Sequence, residues 1–170
     1  MSNDTDQNLT PGGMPSVATP ALAAPAATPI VTDEPNLAAA ILGGLVAALA
    51  GAIVWALITV TTKFQIGFMA VGVGFLVAWA VRTLGKGHAQ VFGVIGGSFA
   101  LLGCLLGNLL SACGFIAQQN LQPVVGVTMK VLSSPAFVAS ILQATFNGMD
   151  LLFYAIAVYE GYKLARRPLR

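Results

Sequence analysis

Charge is scarce in this sequence: Asp, Glu, Lys and Arg together make up 8% of its 170 residues, against about 25% in a soluble domain. With 56% hydrophobic residues, the scarcity excludes an ordinary water-soluble fold and places the chain among integral membrane proteins. Histidine is rarer still. His88 stands alone, so a histidine-built metal site is excluded. The two cysteines, Cys104 and Cys113, are too far apart in sequence for a CxxC pair. On one helix they face opposite sides, roughly 13 Å apart, and cannot bridge. No phosphate loop, metal cluster or pair of catalytic carboxylates can be assembled, so neither cofactor nor metal is expected. The bases are too few and too scattered for nucleic acid.

Bulk is also missing at regular intervals. In one apolar run Gly93, Gly97, Ala100, Cys104, Gly107 and Ser111 recur at steps of three and four. Ala40, Gly44, Ala47 and Gly51 do the same in an earlier run, as do Gly67, Ala70 and Gly74 in a middle one. Such seams let helix backbones approach closely in lipid, where association comes from packing rather than from expelling water. Gly44, Gly51, Gly67, Gly74, Gly93, Gly97, Ala100 and Gly107 are the expected helix-packing positions.

The expected fold is all-α: four transmembrane helices in an antiparallel bundle behind a disordered N-terminal tail. Residues 1–36 are rich in Pro, Ala and Thr, hold four of the six acids and no base, and have few large apolar side chains. Such a stretch buries too little to offset its ordering entropy. It also lacks the basic start of a secretory signal. Spans are expected at residues 37–62, 66–81, 91–117 and 149–164, with a short interfacial helix at 135–146. Trp55 and Trp79 fit interfacial anchors, and residues 82–88 a basic turn. A continuous helix over 135–164 is the alternative. It would put Asp150 near mid-bilayer, at a cost of at least ~2.5–3.5 kcal/mol unless paired.

Four spans place Arg82, Lys86, Lys163, Arg166, Arg167 and Arg170 on one side, against Lys63 and Lys130 on the other. The positive-inside rule then predicts a cytoplasmic N-terminus and C-terminus. Three polar residues stand out. Asn108 sits deep in the third span, as interhelical glue or as the lining of a path. Asp150 reads as a helix cap or as a partner for Lys63 or Lys130. Glu160 is expected to pair with Lys163, three residues on. Gly96-Gly97-Ser98-Phe99-Ala100 has the look of a serine-nucleophile context. An intramembrane hydrolase would need a histidine opposite Ser98, and His88 lies in the basic turn.

The run Gly51-Ala52-Ile53-Val54-Trp55-Ala56, the stretch Gln65 to Val77, Val81-Arg82-Thr83-Leu84-Gly85-Lys86-Gly87 and the closing Asp150 to Lys163 resemble a pattern in small uncharacterised bacterial four-helix inner-membrane proteins. The resemblance implies a multi-pass protein of the bacterial cytoplasmic membrane and brings no activity with it. The expected role is a non-enzymatic structural or accessory subunit whose partners are the lipid bilayer and a second copy or another membrane protein. A small oligomeric transporter or channel, with Asn108, Ser98 and Ser111 along its path, is the alternative.

Overall fold

A computed structural model describes residues 34–65 and 67–166. They belong to the second of two compact units, Asp33–Arg170. The expectation of a disordered tail falls almost wholly on residues 1–33, outside the described residues.

Unbroken apolar sequence makes long helices, and local chemistry ends them. Asn36 caps the first helix, α1 (Leu37–Thr62), its side chain accepting from the N–H of Ala39 at 2.9 Å. Lys63 closes that helix in a left-handed conformation, φ 59°. α2 (Phe68–Gly85) ends the same way at Lys86, φ 50°. The basic turn expected from Arg82 onwards is therefore helical as far as Gly85. α3 (Gln90–Gln119) is the longest, at 30 residues. α4 (Val124–Leu132) forms despite Gly126 and Lys130. Pro135 then opens α5 (Pro135–Thr145). α6 (Gly148–Ala165) starts after a break at Phe146-Asn147, so the continuous helix is not what forms. Among the described residues all regular structure is helical.

α1, α2 and α3 are long and apolar enough to cross a membrane. α4 and α5, bent by 110° at their junction, together make the one further candidate among the described residues. α6, expected as the fourth span, is not among them: its 18 residues hold Asp150, Glu160 and Lys163. It nevertheless packs on both α2 and α3.

The glycines show how closely these helices approach. A Cβ at Gly44 would meet Phe99 and Val81 at 2.8 and 2.9 Å, and one at Gly51 would meet Val73 at 3.1 Å. As the chain climbs α1 from Gly44 to Gly51, its neighbours on α2 descend from Val81 to Val73. α3 runs with α1, since Gly44 meets Phe99 and Gly107 meets Trp55. α6 runs with α2, since Gly67 meets Phe153 and Gly74 meets Ala157. Between α3 and α6, Gly93 faces Arg166 and Tyr162, and a Cβ at Gly97 would lie 3.3 Å from the Val158 carbonyl oxygen. Ala100 is fully buried beside Gly161.

The tightest crossing joins two residues the seams left out. Gly96 and Gly161 face each other backbone to backbone. The signal was present in Ala157, Gly161 and Ala165, small residues at steps of four on α6. The outward side of α1 carries Leu42, Val46 and Leu57, each more than 60% exposed.

Candidate functional site

The polar residues of the interior gather where α2 and α6 begin. Lys63-Phe64-Gln65 turns the chain back after α1, and the Gln65 amide donates to Asn108 Oδ1 at 3.4 Å. Asn108, 2% exposed, thus bonds to the turn and lies beside Tyr154 of α6. Asp150 caps α6: its carboxylate accepts from the Asn147 N–H at 2.9 Å, while its own N–H donates to the Asn147 carbonyl at 2.9 Å. One turn on, Tyr154 is buried, with its hydroxyl 3.5 Å from the Cys104 carbonyl and near Asn108 and Asp150. Asp150→Ala should remove the cap and lower stability by about 1 kcal/mol. A denaturant titration in detergent measures this.

Trp55 is a correction. Expected at the interface, it is 1% exposed, edge-on to Tyr154 with ring centroids 6.5 Å apart. Gly107 makes the room: a Cβ there would come within 3.0 Å of the indole. Thr59, one turn along α1, is equally buried.

Satisfaction is incomplete in this cluster. Trp55 Nε1, Thr59 Oγ1 and Asn108 Nδ2 are buried without a hydrogen-bond partner. Each such group costs about 1–3 kcal/mol if left dry. Two of the three are donors only, so the interior is suited to water or to another uncharged acceptor. Ser111 is not among them, because its hydroxyl donates to the Gly107 carbonyl at 2.7 Å. Outside the cluster, a cleft of about 510 Å³ is lined by Gln65, Gly67, Asn147, Gly148, Met149, Asp150 and Phe153. Gln65 and Asp150 belong to both cleft and cluster.

The remaining expected residues lie elsewhere. Ser98 is on an exposed face of α3, whereas Asn108 and Ser111 are buried. Glu160 is half-buried, and Lys163 turns away from it: its ammonium donates to the Tyr159 hydroxyl at 2.9 Å and lies 4.9 Å from that ring's centre. A phenol four residues back offers both an acceptor and a π face, which the expected pairing overlooked. Cys104 and Cys113 are free and buried in separate apolar clusters. Among the described residues no three His, Cys, Asp or Glu side chains gather to hold a metal ion.

No family model matches the chain, and neither a curated protein nor a solved structure matches it.

Proposed function

We propose that this chain is a structural or accessory subunit of a bacterial cytoplasmic membrane, built as a four-span antiparallel bundle of α1, α2, α3 and α6 with both ends cytoplasmic and no enzymatic activity. The observation that carries this reading is the backbone contact between α6 and its neighbours, at Gly74–Ala157 and Gly96–Gly161. Such contact along the apolar α2 and α3 is how a helix with three charges is held in lipid. Support for the orientation comes from charge. Arg82 and Lys86 at the end of α2, and Lys163 and Arg166 at the end of α6, gather near the start of α1, where the Asn36 N–H bonds to the Gly85 carbonyl.

The intact mass measured from mild detergent should exceed that of one chain, as a homo-oligomer or a complex with another membrane protein. A single chain at every concentration overturns the subunit reading. Tags at the two ends should both be shielded in right-side-out vesicles, and opposite exposure overturns the four-span arrangement.

The buried, unpartnered groups of Trp55, Thr59 and Asn108 favour a second reading, a small oligomeric transporter. Proton or small-solute flux into proteoliposomes that Asn108→Leu abolishes would establish it. Silence across a broad panel leaves the structural role.

A further inference from the structure

α3 and α6 do not close on each other along their outer edge. They leave an open, largely apolar groove of about 860 Å³. On α3 it is lined by Gly93, Gly97 and Ser98, and beyond them it continues over Leu101 and Leu105. From Gly93 to Leu105 a helix rises about 18 Å. One leaflet of a hydrocarbon core of about 30 Å is about 15 Å deep, so the groove has the length of a single leaflet.

The two ends of the groove differ in chemistry. At the Leu105 end the lining is apolar, with Phe146 and Leu151. At the Gly93 end stand Tyr159 and Tyr162, each tied to a cation. Lys163 Nζ donates to the Tyr159 hydroxyl at 2.9 Å, and Arg166 Nη1 donates to the Tyr162 hydroxyl at 2.8 Å. Because each phenol oxygen is already accepting, its O–H is polarised and left to donate outward. Arg166 Nε is buried there without a hydrogen-bond partner. The half-buried Glu160 offsets one of the two positive charges.

We propose that this groove binds an anionic phospholipid, its phosphate held by Lys163, Arg166 and the two phenols and one acyl chain lying over Gly97 to Leu105. Charge selects the occupant. A bare apolar trough takes any tail, but a basic mouth at headgroup depth favours a negatively charged lipid. A second copy docking the same face across a two-fold axis would bring the two basic mouths towards each other.

The full chain, incubated in mild detergent with equal amounts of phosphatidylglycerol and phosphatidylcholine, should retain phosphatidylglycerol preferentially in native mass spectra. The double substitution Lys163→Gln with Arg166→Gln should lower that preference about tenfold or more, with helical content and thermal midpoint unchanged. Val94→Trp, on the groove's exposed side, should reduce retention of both lipids. Equal retention by the parent chain overturns the proposal, as does a double variant that keeps its preference. A lipid-free dimer that Val94→Trp dissociates overturns it in favour of a second copy.

Discussion

Gly74→Leu should strip the protein of its folded form in detergent, and Gly72→Leu, two residues away on the same helix, should do no harm. A Cβ at position 74 would lie 2.6 Å from the Ala157 carbonyl oxygen and 2.9 Å from its Cα. Those are backbone atoms of α6 and cannot rotate out of the way as a side chain does. α2 and α6 would have to part along their shared length, an overpacking cost of about 3 kcal/mol or more. Gly96→Leu should behave alike, because the atom it meets is the Gly161 carbonyl. At Gly72 nothing lies within 4 Å of the added carbon. Leucine there gains helix propensity, by about 0.5–1 kcal/mol over glycine. Unfolding titrations in SDS, followed by tryptophan fluorescence, should separate the variants by several kcal/mol. Equal stability at 72 and 74 would refute the close approach.

Trp55→Ala is the second large effect. In water such a deletion costs about 3–5 kcal/mol, the sum of a transfer contribution and a cavity. The transfer part shrinks for a helix that stays in lipid when the bundle opens, since tails are as apolar as the interior. The cavity remains: Gly107 has no side chain to fill it, and Tyr154 loses its edge-on neighbour. A loss of roughly 2–3 kcal/mol is expected. Gly107→Ala in the Trp55→Ala background should recover part of it, whereas Gly107→Ala alone should destabilise. Additive effects of the two substitutions would show that the pair is not in contact.

Helix positions were legible because apolar runs and their stops are local. The expected 37–62, 91–117 and 149–164 lie within two residues of the observed ends at each terminus. Asp150 was readable as a cap because the last apolar run starts beside it; the structure adds that its carboxylate reaches back three residues to the Asn147 N–H. Partnerships across the fold were not. Two turns before a lysine, a tryptophan reads as an interface anchor. What decides otherwise is the empty space at Gly107, far along the chain. Gly96 and Gly161 escaped for the same reason: a seam shows that a helix packs, not which helix packs on it. α4 is helical although a glycine and a lysine interrupt its nine residues, because tertiary packing outweighs local propensity. Glu160 lost Lys163 to Tyr159 because opposite charge was weighed without the ring beside it.

The helices differ in height. α3, with 30 residues, rises about 45 Å, while α2 and α6, with 18 each, rise about 27 Å. On the proposed four-span arrangement, lipid beside α2 and α6 thins to meet them, while α3 tilts or reaches past the headgroups. Under that arrangement bilayer thickness, as much as any partner, would bias where the molecule resides.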